Sequence, residues 1–116
     1  MKLSQTPHVT EEYYCSNCTL FFDQLNVFRN WKCPKCDIYI QIRILTDKLN
    51  NSCLRIPVQE LKVDDMILID RFDYFRDILA VRDEGSSMWV AIKEYRALSL
   101  EKNSTAIVLN GGWYHS

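Results

Sequence analysis

The chain has 116 residues, 47% of them hydrophobic and 12% aromatic, and a formal net charge of −1. That length suits one compact domain or two very small ones joined tightly, and the apolar content excludes bulk disorder. No apolar run approaches the ~20 residues of a membrane span, and a near-neutral charge argues against a chain built mainly to grip phosphates.

Residues 1–12 are expected to form an N-terminal arm. Met1 to His8 lack the apolar stretch of a signal peptide, so the expected location is cytoplasmic. A reducing compartment keeps cysteines available as metal ligands. Residues 1–56 carry seven Lys/Arg against five Asp/Glu, and residues 57–116 carry seven against ten, which puts the acidic excess in the second half.

Two cysteine pairs follow, Cys15-Ser16-Asn17-Cys18 and Cys33-Pro34-Lys35-Cys36, separated by fourteen residues. Pairs at this spacing supply four thiolates to one tetrahedral ion. The expected cofactor is one structural Zn²⁺ held by Cys15, Cys18, Cys33 and Cys36. A closed four-ligand site leaves no position for an activated water, so metal-assisted hydrolysis is not expected. Iron is chemically possible in such a site, but the polar surroundings favour zinc. The second pair also has redox-motif spacing, yet that motif needs a βαβ setting and a strand follows here instead.

Between the pairs, Thr19 to Lys32 predicts a strand out, a polar turn at Asp23 to Asn26 and a strand back. Asp37 to Leu45 then alternates strictly, with Ile38, Ile40, Ile42 and Ile44 on one face and Tyr39, Gln41 and Arg43 on the other. The isoleucine face is expected to pack on the C-terminal half, making one body of the two. Were Arg29, Trp31, Lys32, Lys35, Tyr39 and Arg43 to share a face, they would form a nucleic-acid platform of cations and aromatics. Cys53, in a strand expected after an Asn50-Asn51 turn, has the character of a small buried apolar residue.

With its two knuckles and the Cys33-Pro34-Lys35-Cys36 form of the second, the segment from about 13 to 45 resembles the zinc-ribbon family. The resemblance implies a small antiparallel unit folded around its metal, here residues 13–56. The family often has Gly after each pair, where the knuckle turns through positive φ. Thr19 and Asp37 stand there instead. A β-branched residue tolerates that conformation poorly, so the first knuckle is expected to be distorted.

Residues 57–116 predict short strands with frequent turns: Met66–Ile69, Ile78–Val81, Met88–Ile92 after the Asp83-Glu84-Gly85-Ser86 turn, Tyr95–Leu100, and Thr105–Leu109 up to Asn110-Gly111-Gly112. Five such strands in about sixty residues predict a small bent barrel. Leu61 to Ile69 resembles the opening of SH3-like barrels, with Asp64 where Gly often stands. The fold class expected is therefore mainly β: a zinc ribbon packed on a small SH3-like antiparallel barrel.

Asp70 to Asp77 sets charges among three aromatics, the composition of a contact surface. Arg71, Phe72, Tyr74, Phe75 and Arg76 are its candidate partner-binding residues, with Trp89 and Trp113 as further anchors. No phosphate-cradling Gly loop or nucleophile elbow is present. The sequence thus predicts a non-enzymatic adaptor that docks onto a larger protein or nucleoprotein assembly, with no membrane and no small-molecule substrate. Direct nucleic-acid binding through the ribbon is the alternative.

Overall fold

The computed structural model describes residues 9–69 and 75–114, and their strands join into one nine-stranded sheet. In chain order the strands are β1 (Thr10–Cys15), β2 (Leu20–Phe22), β3 (Gln41–Leu45), β4 (Asn50–Pro57), β5 (Met66–Leu68), β6 (Phe75–Asp83), β7 (Ser87–Ile92), β8 (Leu98–Glu101) and β9 (Thr105–Gly112). A single helical turn, α1 (Gln24–Val27), follows β2. Across the sheet the order is 2-1-3-4-9-5-6-7-8. The chain is mainly β and antiparallel, as its β-branched and aromatic runs favour.

Two cores lie against this sheet. The first gathers Tyr13, Cys15, Val27, Cys33, Ile40, Ile42, Ile44, Leu49, Cys53 and Leu68. The second gathers aliphatic residues from Ile56 to Val108 with Met88. Strand periodicity explains how one sheet serves both. In β5, Ile67 enters the second core and its neighbour Leu68 the first; in β9, Val108 and Ile107 divide the same way. The strands β4, β5 and β9 are a wall with a core on each side.

Several expectations need correction. The chain does not return as a strand after Asp23. It forms α1, with the Asn26 side chain accepting from the Asp23 N–H at 3.1 Å, a local bond that favours a helix start over a hairpin. Isoleucine alternation holds for Ile40, Ile42 and Ile44, all fully buried, but Ile38 is 42% exposed because β3 begins only at Gln41. Those isoleucines are covered chiefly by the cysteine-bearing segment itself, joined by Leu68 and Phe75 from the C-terminal half.

The Asn50-Asn51 pair lies inside β4. The turn comes earlier, where Thr46 Oγ1 accepts the N–H groups of Lys48 and Leu49 at 3.0 Å each. Similarly, β9 runs through Asn110-Gly111-Gly112 instead of stopping there. Ser52 pairs with Gly111 and Cys53 with Leu109, which leaves Asn110 as the extra residue of a bulge. Tyr95 to Ala97 are not strand; β8 starts at Leu98.

Candidate metal centre

The four cysteines arrive from two knuckles. β1 ends at Cys15 and carries it into the first core at 0% exposure, while Cys33 sits beside it at 2%. Cys18 and Cys36 are half-buried. All four sulfurs lie within 4.8 Å of one another, with Cys15 Sγ 3.5 Å from Cys36 Sγ and Cys18 Sγ 3.9 Å from Cys33 Sγ. A tetrahedron with metal–sulfur bonds of about 2.3 Å has edges of about 3.8 Å, so the separations fit one ion between four thiolates. The cluster is positioned to bind a metal.

Backbone geometry around the sulfurs is that of two turns folded back on themselves. The Cys18 N–H donates to Cys15 Sγ and the Lys35 N–H to Cys33 Sγ, each at 3.3 Å. Such donors offset thiolate charge and orient the ligands. Both knuckles pass through positive φ just after the second cysteine, at 54° for Thr19 and 65° for Asp37. The turn is therefore kept in the first knuckle, and the β-branched Thr19 carries the strain. In the same way Asp64, at φ 80°, adopts the left-handed backbone for which Gly is suited.

The thiols also perturb one another. Hydrogen bonding with Cys36 pushes Cys18 up to about 12, and burial pushes Cys15 up. Cys36 is drawn down to about 6 by the Ile38 N–H and the Asn17 side chain. Four adjacent sulfurs ionise together only when a cation neutralises them, which is the service a bound metal performs.

Behind the centre stands a network that the sequence did not signal. Arg55 of β4 makes a bidentate pair with Glu11 of β1, both bonds at 2.7 Å, and Tyr13 Oη donates to Glu11 at 2.7 Å. The Arg55 guanidinium lies over the Trp31 ring at 4.5 Å, and Trp31 stacks on Tyr13 at 6.1 Å. This clamp holds Trp31 at φ 59°, a bulky residue in the left-handed region just before the second knuckle. Burial alone would raise the Glu11 carboxyl, but Arg55 and Tyr13 hold it below its ordinary value. The forty-four residues between Glu11 and Arg55 hide the pair from any local pattern.

The basic and aromatic candidates divide. Arg29, Lys32 and Tyr39 line one groove of about 280 Å³, together with Glu60 and Lys102. There the Lys32 ammonium lies 4.9 Å from the Tyr39 ring centre, and Tyr39 Oη donates to the Glu60 carboxylate at 2.8 Å. Burial and that carboxylate push Tyr39 up to about 12. Trp31 belongs to the clamp. Arg43 is elsewhere, paired with Glu12 at 2.7 Å and 5.9 Å from the Trp113 ring centre. Lys35 is exposed.

Of the partner-binding candidates, Arg71, Phe72 and Tyr74 lie outside the described residues. Phe75 packs against the first core, and Arg76 donates to the Glu94 carbonyl at 3.2 Å. Trp89 is covered by the Arg82 guanidinium at 4.4 Å, and Trp113 lies among Tyr14, Phe21 and Arg43. Cys53 is fully buried, and burial pushes its thiol up to about 12. No helix among the described residues is long and apolar enough to cross a membrane. Comparison of the chain with protein-family models, curated proteins and solved structures found no match.

Proposed function

We propose that this chain is a zinc-binding, non-enzymatic adaptor or accessory protein of the cytoplasm that docks onto a larger protein or nucleoprotein assembly. The observation that carries the reading is the convergence of four thiols, which complete a tetrahedral site by themselves and so fit a structural ion. The cysteine-bearing segment is then a zinc ribbon, and β5 to β8 with β9 returning beside β5 are the strands of a small SH3-like barrel.

Docking is supported by where apolar surface remains. Of the eight exposed large hydrophobic residues among the described residues, five, Leu20, Phe21, Leu25, Phe28 and Ile38, belong to the segment around the metal, Leu25 being 82% exposed; Val63, Leu79 and Tyr114 lie elsewhere. Such a concentration on one small unit is typical of a surface that meets a partner. The segment from Arg71 to Arg76 is proposed as a second contact, with Phe75 as its inner anchor.

A second reading, nucleic-acid binding, is favoured by the groove that unites Arg29, Lys32, Tyr39 and Lys102. The two readings part in a capture experiment from native lysate, run with and without nuclease and across a salt series. An adaptor retains a defined protein partner after nuclease and loses it only gradually with salt. Binding that disappears with nuclease and falls steeply with salt would overturn the adaptor reading in favour of nucleic acid. Metal analysis of the purified chain should give one zinc per chain; iron or no metal would overturn the zinc assignment.

A further inference from the structure

β1 is longer than the strand beside it. On one side it pairs with β3 from Thr10 to Tyr14. On the other side β2 pairs with it only from Tyr13 to Cys15, because the chain leaves the sheet at Asp23 and enters α1. Among the described residues, Glu11 and Glu12 therefore have a strand neighbour on the β3 side only. A groove of about 710 Å³ opens at this place, lined by Val9, Glu11, Glu12, Phe21, Phe22 and Asp23 among others. It continues the line of β2 alongside the start of β1.

We infer that this groove is a strand-addition slot, filled by an extended segment of a partner protein in which a Lys or Arg stands among apolar residues. An unfilled position beside a strand presents main-chain donors and acceptors at sheet spacing, so an incoming chain gains a ladder with little reorganisation. Running antiparallel to β1, the segment prolongs β2 past Phe22. One of its faces meets Val9, Tyr13 and Phe22, which takes apolar side chains. Its other face meets Phe21 and Glu12.

The charge requirement comes from the carboxylates. Glu11 is consumed by Arg55 and Tyr13 and serves only as wall. Glu12 gives one oxygen to Arg43 and leaves its side chain 44% exposed, while Asp23 is exposed and makes no ion pair with a described residue. A cation between Glu12 and Asp23 is complementary to both. A second copy of this chain is disfavoured, because symmetric pairing along this edge sets Glu against Glu.

The inference rests on the docking reading and deepens it, since Phe21 belongs both to the exposed apolar surface and to the groove. Its test is selection from a library of random twelve-residue peptides on the zinc-loaded full chain, followed by amide exchange. The expected result is enrichment of alternating apolar sequences with Lys or Arg, and added protection, when a selected peptide binds, of whichever of the Glu11 and Glu12 amides points away from β3, since successive amides of a strand face opposite edges. N-methylation of alternate peptide bonds should abolish binding, and Asp23→Asn should weaken it roughly fivefold while leaving the melting curve in place, since Asn also caps a helix. An empty selection, peptides without basic residues, or binding indifferent to N-methylation would overturn the slot. The lysate capture is read separately: a partner still retained when a selected peptide saturates the groove leaves docking intact and removes only the slot.

Discussion

The two cores share a wall yet are built from different material. Among the described residues each has ten buried members, so number is not what separates them. The second is filled by Ile, Val, Leu, Met and Ala side chains. The first includes three cysteines, two of them members of the cluster positioned to bind a metal, and is clamped by a charged network at its margin. Three of its ten buried positions are cysteines, which bring less apolar bulk than the Ile, Val, Leu and Met side chains of the second core to offset the entropy of ordering its loops. On the structural-metal reading proposed above, coordination by the four cysteines would supply what apolar mass does not.

The sharpest way to break this comparison is to remove the metal. Cys33→Ser, or a strong chelator, should unfold the first core while the strands β6 to β8 keep their amide protection. Structural zinc is worth on the order of 10–16 kcal/mol in finger-sized units, far more than any single side chain here. Hydrogen exchange read strand by strand distinguishes the outcomes. Simultaneous loss of protection in both halves would show that the wall transmits unfolding and that the cores are one cooperative unit.

A smaller and more local probe uses adjacent residues. Ile67→Ala opens a cavity in the second core and Leu68→Ala one in the first, each costing about 2–5 kcal/mol. Chelation should already open the first core, so the added effect of Leu68→Ala on residues 9–45 should disappear with the metal, while that of Ile67→Ala is unchanged. Equal responses of the two variants to chelation would mean that the cores are not separately supported.

The Glu11–Arg55 pair gives a pH signature to the first core alone. Its carboxyl is held below the ordinary value of 4.5, so the stability it contributes is present above pH 4.5 and fades as pH falls towards the lowered folded value. Glu11→Gln should flatten that acid limb in a urea-denaturation series, measured as the difference from the parent chain so that metal loss cancels. It should also cost about 3 kcal/mol at neutral pH, because Arg55 is left with half its partner. An unchanged acid limb would remove the clamp from the stability of this core.

How much of this was legible follows from the range of each interaction. The four ligands were readable because chelation fixes spacing within a turn, and β5, β7 and the Asp83–Ser86 turn because period and turn chemistry are local. The helix after Asp23 was missed because four residues carry no period, and β1 because Glu11, Glu12 and Tyr14 break its apolar alternation. The Asn110 bulge reads as a stop signal unless the partner strand is known. The Arg55 clamp joins strands that β3 separates, and no window of the sequence contains both ends.

The smallest expected effect compares the two knuckles, and it has the opposite sign. Thr19 and Asp37 occupy the same left-handed backbone, but only Thr is β-branched, and its hydroxyl is engaged with the Cys18 carbonyl beside it. The left-handed region costs a residue with a Cβ about 1–2 kcal/mol, and Asp recovers part of that through its short polar side chain. Glycine relieves the strain and gives some of it back through the entropy of the unfolded chain. Thr19→Gly should therefore stabilise the metal-bound protein by about 1 kcal/mol, a rise of roughly 4 °C in Tm, and Asp37→Gly by less. Equal gains at the two positions would mean that β-branching is not the source of the strain. A loss at Thr19 would mean that its hydroxyl bond to Cys18 outweighs the backbone cost.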